Sequence, residues 1–129
     1  MYDAFEDKEL EDYISSRLVE LDPLAEPWTD EDTMWCLEFE NEEGVADVLF
    51  SLTDSVTSDG TEHSKGGGYN VGWSAARQGG ELLANLFPYN RTSRVWTLDK
   101  GELWYRAEGV INALEEWVEE NNYVATKEE

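Results

Sequence analysis

Apolar and polar residues alternate through residues 35–52, and this alternation limits the possible folds more than any other feature of the chain. Trp35, Leu37 and Phe39 stand at every second position, and after the polar interval 41–44 a second alternating series covers residues 46–52. A period of two residues is typical of strands with one buried face, and a short polar interval ending in glycine favours a tight turn. The sequence therefore predicts a β-hairpin over residues 33–53.

Apolar residues recur at spacings of three and four in two other stretches, as expected of helices that bury one face. The first stretch lies within residues 5–21 and ends before Pro23, which cannot continue a helix. The second covers residues 107–121, with acids on its other side. We expect a third, shorter helix over residues 80–87, closed by Pro88.

A second hairpin is expected over residues 93–106, where two apolar runs flank Asp99-Lys100-Gly101-Glu102. The order helix, hairpin, helix, hairpin, helix predicts an α+β fold in which an antiparallel sheet carries helices on one face. The length of 129 residues predicts one compact acidic domain over residues 1–129. The interval 53–72, rich in Ser, Thr, Asp and Gly, is expected to be a long loop.

The chain carries a strong excess of acid: 30 Asp and Glu residues against 9 Lys and Arg give a formal charge of −21. Most acids precede residue 63, because residues 1–62 contain 20 acids and 2 bases whereas residues 63–107 contain 3 acids and 6 bases. A negative surface repels phosphate, so direct binding to nucleic acid or anionic lipid is not expected. Without a long apolar run or a signal-peptide pattern, the sequence predicts a cytoplasmic protein that does not contact membranes.

Motifs for catalysis or ligand binding are not found in the sequence. The single cysteine, Cys36, and the single histidine, His63, exclude a disulfide framework and a Cys/His zinc cluster within one chain. Gly66-Gly67-Gly68 lacks the spacing of a phosphate-binding loop, and the acidic runs lack the pattern of a calcium-binding loop. We therefore expect no catalytic residue, no cofactor and no bound metal ion.

The spacing of the acids is comparable to the charge density of DNA. Residues 6–12 carry a net charge of −4, which in a helix corresponds to about one charge per 2.2 Å, whereas duplex DNA carries about one per 1.7 Å. On the predicted hairpin, the carboxylates of Glu38 and Glu40 would lie about 6.6–6.8 Å apart, close to the rise over two phosphates of one DNA strand. Helix and hairpin are thus predicted to present rows of carboxylates that imitate phosphates.

In composition and size, the chain is similar to the small acidic DNA-mimic inhibitors that phages and mobile elements direct against restriction enzymes, CRISPR effectors and DNA-repair enzymes. The similarity includes no motif, so it assigns no functional residue. Our hypothesis is a non-enzymatic inhibitor that occupies the nucleic-acid-binding groove of a basic host protein or complex. Its affinity would come from an array of carboxylates and one or two apolar anchors. The candidate contact residues are Asp7, Glu9, Glu11, Asp12, Trp28, Asp30, Glu31, Asp32, Glu38, Glu40, Glu42 and Glu43.

Three other interpretations stay open from the sequence. A housekeeping domain adapted to a high-salt cytosol would also carry surface acid, because salt screens self-repulsion, although the mildly basic middle of the chain argues against it. An adaptor that binds a basic protein by charge, without imitating DNA, is the second. A small enzyme with a site in the loop over residues 53–72 is the third and least supported. Only the mimic must be displaced competitively by nucleic acid, and the sequence indicates no oligomeric state.

Overall fold

Two helices packed on one face of an antiparallel sheet form the part of the molecule that the computed structural model describes, residues 4–29, 33–54, 69–86 and 99–126. This arrangement confirms the predicted α+β class. The elements are a 3-10 turn at Ala4–Glu6, the helices α1 Lys8–Leu21 and α2 Lys100–Glu120, and the strands β1 Pro27–Thr29, β2 Thr33–Asn41, β3 Gly44–Asp54, β4 Tyr69–Arg77, β5 Leu82–Leu86 and β6 Val124–Ala125.

The strands follow the order β1-β2-β3-β4-β5, and each neighbouring pair is antiparallel. The short strand β6 also pairs with β2, beside Phe39 and Glu40, so β1 and β6 share one edge of β2 while β3 occupies the other. The predicted hairpin over residues 33–53 is confirmed as β2 and β3. Its turn closes where Asn41 pairs with Gly44, whose φ of 129° suits a residue without a side chain.

The inward side chains of the sheet form a hydrophobic core with both helices. Trp35 and Phe39 are fully buried, as the alternation predicts. Two tryptophans also hydrogen-bond to the helices: Trp35 Nε1 donates to Ser15 Oγ of α1 at 3.0 Å, and Trp73 Nε1 donates to the Val110 carbonyl of α2 at 2.9 Å. These bonds hold α1 over β2 and α2 over β4. The buried helix residues are Leu10, Ile14 and Leu18 in α1 and Leu103, Ala107, Val110, Ile111, Leu114 and Val118 in α2.

The first predicted helix, over residues 5–21, is confirmed in its main part. It begins only at Lys8 because the Asp7 side chain caps it, accepting a hydrogen bond from Leu10 N at 3.2 Å. It ends at Leu21, just before Pro23 would interrupt the hydrogen bonds of a continuing helix.

The helices α1 and α2 lie side by side and run in the same direction. Near their first turns the rings of Tyr13 and Trp104 stack, with centroids 5.3 Å apart. Further along, Arg17 donates to Asn112 Oδ1 at 2.7 Å and to Glu115 Oε1 at 2.9 Å. Later residues of α1 therefore contact later residues of α2, and the C-terminal ends of both helices lie at the same end of the described molecule. Neither of these two helices is long and apolar enough to cross a membrane.

The predicted helix over residues 80–87 is wrong, because Leu82–Leu86 forms the strand β5. Gly79 and Gly80, with φ angles of 111° and 98°, turn the chain from β4 back along its own edge. Leucine and alanine favour helix locally, but hydrogen bonding along β4 outweighs this weak preference.

The predicted second hairpin over residues 93–106 is wrong over the residues that the structure describes. The side chain of Asp99 accepts a hydrogen bond from Glu102 N at 2.9 Å and caps α2, so the expected turn is instead the start of a helix. Residues 93–98 lie outside the described ranges. The predicted helix over residues 107–121 is confirmed, although α2 begins earlier, at Lys100.

The predicted loop over residues 53–72 is wrong at both ends, because residues 53–54 belong to β3 and residues 69–72 belong to β4. Its central part, residues 55–68, lies outside the described residues. The predictions for His63 and for Gly66-Gly67-Gly68 fall in that part.

Candidate partner-binding surface

Asp7, the first residue proposed from the sequence as a partner contact, is instead engaged in contacts within the protein. Its side chain is only 8% exposed and lies 3.9 Å from Lys100 Nζ. The indole nitrogen Nε1 of Trp104 donates to Asp7 Oδ2 at 3.4 Å, and Leu10 N donates to Asp7 Oδ1. These contacts tie the first turn of α1 to the first turn of α2.

The other proposed acids of α1 differ in exposure. Glu11 is half-buried and bound to Lys8 Nζ at 2.6 Å, so its charge is already matched by a base. Glu9 and Asp12 are exposed on the side of the helix that points away from the core. Glu9 and Asp12 are therefore the α1 residues of the original set that are accessible to a partner.

Exposed carboxylates cover the side of α1 and α2 that points away from the sheet. Both helices bury their opposite sides in one core, so these carboxylates share one surface, named here the acidic helix face. Its residues are Glu9, Asp12 and Glu20 on α1 and Glu108, Glu116, Glu119 and Glu120 on α2.

The dimensions of the acidic helix face are comparable to those of duplex DNA. Because Asp7 lies beside Lys100 and Trp104, Glu9 is level with about residue 104. At 1.5 Å per residue, the seven carboxylates therefore span about 24 Å along the helices, or about one charge per 3.4 Å. Duplex DNA has about one charge per 1.7 Å. Axes of packed helices lie about 8–10 Å apart, a separation between the widths of the minor and major grooves, about 6 and 12 Å. The face therefore presents two rows of negative charge at about half the charge density of duplex DNA, which is the density of one DNA strand, about one charge per 3.4 Å.

Every lysine and arginine in the described ranges takes part in an ion pair, and none of these pairs involves the acidic helix face. The same ranges contain 22 acids and 5 bases. The surface is therefore strongly negative where the two helices face solvent. The pairs are Lys8–Glu11 at 2.6 Å, Arg17–Glu115 at 2.9 Å, Arg77–Glu43 at 3.1 Å, Lys100–Asp7 at 3.9 Å and Arg106–Glu102 at 2.7 Å.

The two bases of α1 remain charged in these pairs. Burial lowers the pKa of Arg17, but the hydrogen bond and the charge of Glu115, with the contribution of Tyr13, outweigh burial and raise the pKa overall. The hydrogen bond to Glu11, the charge of Glu11 and, to a smaller extent, the charge of Asp12 raise the pKa of Lys8. Both cations therefore form their ion pairs with carboxylates outside the acidic helix face, although Asp12 of that face also acts on Lys8.

The acids at the end of α2 are placed where they oppose helix stability. Glu115, Glu116, Glu119 and Glu120 lie near its C-terminus, and its last turn contains no basic residue. The negative end of a helix dipole disfavours each nearby acid by about 0.3–1 kcal/mol. Glu116 and Glu120 also form a like-charge pair four residues apart, which destabilises helices further. Glu115 is bound to Arg17, whereas Glu116, Glu119 and Glu120 form no ion pair with a base of the described residues, so the structure gives these three acids no stabilising contact of that kind.

Two acids of the first hairpin extend this negative surface. Glu42 and Glu43 are exposed at the turn between β2 and β3. Asn41 Nδ2 donates to the Asn121 carbonyl at 2.8 Å and so ties the turn to the end of α2. Glu40, Glu42 and Glu43 line a concavity of about 570 Å³ beside Asn121. The turn therefore continues the acidic helix face at the end of α2, although Glu43 is already paired with an arginine.

Glu38 and Glu40 lie on the side of the sheet opposite the helices. The even-numbered residues of β2 point away from the core, and Glu40 is exposed. Glu38 is half-buried, and its carboxylate accepts a hydrogen bond from Thr126 Oγ1. The sheet separates these two acids from Glu9 and Asp12, so a flat surface cannot contact both sets at once.

Trp28, the proposed apolar anchor, is 59% exposed and lies opposite Met34 on the same side of the sheet as Glu38. The structure therefore does not place this tryptophan beside the acids of the two helices. Asp30, Glu31 and Asp32 lie outside the described residues.

The acids of α2 were missed as contact candidates by the reasoning from sequence. Glu108, Glu119 and Glu120 were assigned to the polar side of an amphipathic helix, where acids are ordinary. One sequence feature could have identified these acids as candidates: several acids stand near the end of the helix, and its last turn contains no base. Nothing in the sequence shows that α1 lies beside α2 and contributes a parallel row.

No three Asp, Glu, His or Cys side chains among the described residues are placed to hold a metal ion. Cys36 is exposed on the side of the sheet opposite the helices.

No protein-family model matches the chain, and neither a curated protein nor a solved structure matches it.

Proposed function

We propose that the protein is a non-enzymatic inhibitor whose acidic helix face imitates the phosphates of DNA and occupies the nucleic-acid-binding groove of an intracellular enzyme. The observation that carries the proposal is the pair of parallel rows of exposed carboxylates, none of which is paired with a described base. A groove that binds DNA presents lysines and arginines at the spacing of phosphates, and two such rows meet it with complementary charge.

The stability cost of the α2 acids supports this function over simple solubility. Acids needed only for solubility can stand anywhere on the surface, including helix N-termini, where they stabilise the helix. Here Glu116, Glu119 and Glu120 concentrate at the unfavourable end. A binding function explains the position, because it requires charge at that place on the surface.

Affinity in this mechanism comes from many weak contacts. A single exposed ion pair contributes about 0–1 kcal/mol, so a tight complex needs most of the acidic helix face. The summed field also accelerates association with a positively charged groove, and this acceleration falls as salt increases. The enzymes that fit this description are those with a basic duplex-binding groove, such as restriction enzymes, CRISPR effectors and DNA-repair enzymes.

The decisive test compares two variants with the same change in charge. In the first, Glu116→Gln and Glu120→Gln neutralise part of the acidic helix face. In the second, Glu26→Gln and Glu81→Gln neutralise two exposed acids elsewhere. Parent and variants are immobilised, exposed to bacterial lysate at about 100 mM salt, and eluted with duplex DNA. Eluted proteins are identified by mass spectrometry.

We expect the parent and the second variant to capture the same nucleic-acid enzyme, and DNA to release it. The first variant should retain about tenfold less, since it loses two contacts of up to about 1 kcal/mol each. The purified enzyme should then be inhibited competitively with respect to DNA. Equal capture by both variants would contradict the role of the acidic helix face. Partners that DNA does not release would instead indicate an adaptor.

A further inference from the structure

The side of the sheet opposite the helices carries exposed apolar side chains near its centre. When one face of an antiparallel sheet packs on a core, the other face is ordinarily polar. Here Cys36, Leu49 and Ser74 lie opposite one another in a row across β2, β3 and β4, and Leu49 is 37% exposed. Trp28 is exposed on the same side of the sheet. Exposed apolar surface of this kind marks an interaction site when it is contiguous and has polar groups at its rim.

A groove of about 480 Å³ crosses the three strands at this place. One wall is the row of Cys36, Leu49 and Ser74, and Leu24, which is 41% exposed, closes the end beside β2. The next row along the strands, about 6.7 Å away, carries the acids. That second row consists of Glu38, Asp47 and Ala76, which lie opposite one another on β2, β3 and β4. One side of the groove therefore presents the apolar Cys36 and Leu49 beside the polar Ser74, and the other side is acidic.

The charge of the protein determines which occupant fits. A second copy would bring another net charge of −21 against the first, and nucleic acid would be repelled for the same reason. Among the described residues that line the groove, three are acids, Asp22, Glu38 and Asp47, and none is a lysine or arginine. An occupant must therefore supply positive charge as well as apolar side chains.

We propose that this groove binds an extended segment of a partner protein in which apolar and basic residues alternate. Successive side chains of an extended chain point to opposite sides. The apolar ones then contact Cys36 and Leu49, while the basic ones reach Glu38 and Asp47. This site lies across the sheet from the acidic helix face and binds by a different chemistry. It gives the protein a second interaction surface that imitation of DNA does not require.

The single cysteine of the chain reports directly on the groove, because the exposed Cys36 lies in its apolar wall. The experiment measures the rate at which Cys36 reacts with N-ethylmaleimide in the intact protein. One probe is a short peptide alternating leucine and arginine, and the other is a peptide of equal charge alternating serine and arginine. We expect the leucine peptide, at saturation, to slow the reaction about tenfold or more, because an occupied groove excludes the reagent.

The serine peptide should bind to the acidic surface by charge without slowing the reaction of Cys36. The variant Leu49→Ser should weaken binding of the leucine peptide about tenfold. The matched control is Val19→Ser on α1, because Val19 is 39% exposed and Leu49 is 37% exposed. This control should bind the leucine peptide as tightly as the parent does. If Leu49→Ser does not fold, the variant Cys36→Arg is used in its place. The arginine repels the basic peptide at the same site, so this variant should also bind the leucine peptide more weakly than the parent does.

Two outcomes overturn the proposed groove. In one, the leucine peptide fails to bind or leaves the reaction rate of Cys36 unchanged. In the other, the serine peptide slows the reaction equally, which shows that charge alone accounts for the effect. Neither outcome affects the acidic helix face, because that surface is tested by its own charge variants and contains no cysteine.

Discussion

Asp7 and Asp22 illustrate how acids in a highly acidic chain take structural roles that composition does not reveal. Asp7 caps α1 and contacts the first turn of α2. Asp22 is 4% exposed, and its carboxylate accepts hydrogen bonds from Leu24 N at 3.0 Å and Glu38 N at 3.1 Å. Asp22 thereby provides an acceptor for the backbone N–H of Glu38. This N–H lies on the edge of β2, between the residues that pair with β1 and those that pair with β6. At the scale of the residue, burial and hydrogen bonding distinguish such acids from those available to a partner.

The variant Asp7→Ala should lower the free energy of unfolding by about 1–2 kcal/mol, because Leu10 N loses its capping acceptor. Asp7→Ser should lose less, since serine also caps helices. The exposed neighbour Glu9→Ala is the control and should change stability by less than about 0.5 kcal/mol. Urea denaturation measures all three. Unchanged stability of Asp7→Ala together with weaker partner capture would show that Asp7 is a contact residue after all.

At the scale of the element, the sequence predicts structure well where pattern and local preference agree. The hairpin of β2 and β3 and the buried stripe of α2 both follow from periodicity. Leu82–Leu86 was misread because its residues favour helix locally, whereas pairing with a distant strand decides its structure. Asp99 was misread because the same residues suit a turn or a helix cap, and only tertiary packing selects between them.

The candidate site was predicted only in part for the same reason. Glu9 and Asp12 are recognisable as exposed from the helical period alone. The parallel packing that joins them to Glu116 and Glu120 depends on contacts such as Arg17 with Glu115, which are far apart in the chain. A row of charges within one helix can thus be inferred from sequence, whereas a surface built from two helices cannot.

The double variant Glu119→Gln and Glu120→Gln should be more stable than the parent by about 0.5–1.5 kcal/mol at about 10 mM salt. The substitutions remove acids from the negative end of α2 and relieve repulsion from Glu115 and Glu116. The gain should shrink at about 1 M salt, where the screening length is about 3 Å. Chemical denaturation at both salt concentrations measures the difference.

The control for this variant is Glu102→Gln, at the opposite end of α2. Glu102 lies in the first turn, where the dipole favours acid, and pairs with Arg106 at 2.7 Å. This substitution should therefore lower stability. A double variant at Glu119 and Glu120 that is less stable than the parent would remove the argument that these acids are retained for binding.

At the scale of the whole molecule, the acidic helix face and the groove lie on opposite sides of the sheet. Both helices point their C-terminal ends toward the turn between β2 and β3, so two negative dipole ends add to the acids of that region. The opposite side of the sheet carries the groove with Cys36 and Leu49. Adaptation to high salt would explain the surface acid but not an exposed groove that contains Cys36 and Leu49.

Salt should therefore act on folding and on binding in opposite directions. With a net charge of −21, screening relieves self-repulsion, so the free energy of unfolding should rise by about 1–3 kcal/mol between about 50 mM and 1 M salt. Over the same range, capture of the DNA-releasable enzyme should fall by about tenfold or more, because its attraction is electrostatic. Circular dichroism during denaturation gives the first quantity, and the capture assay gives the second.

The high-salt interpretation makes a different prediction: the chain is unfolded at about 50 mM salt and folds cooperatively only as salt is added. Cooperative unfolding from a folded state at low salt is what an inhibitor acting in an ordinary cytosol requires.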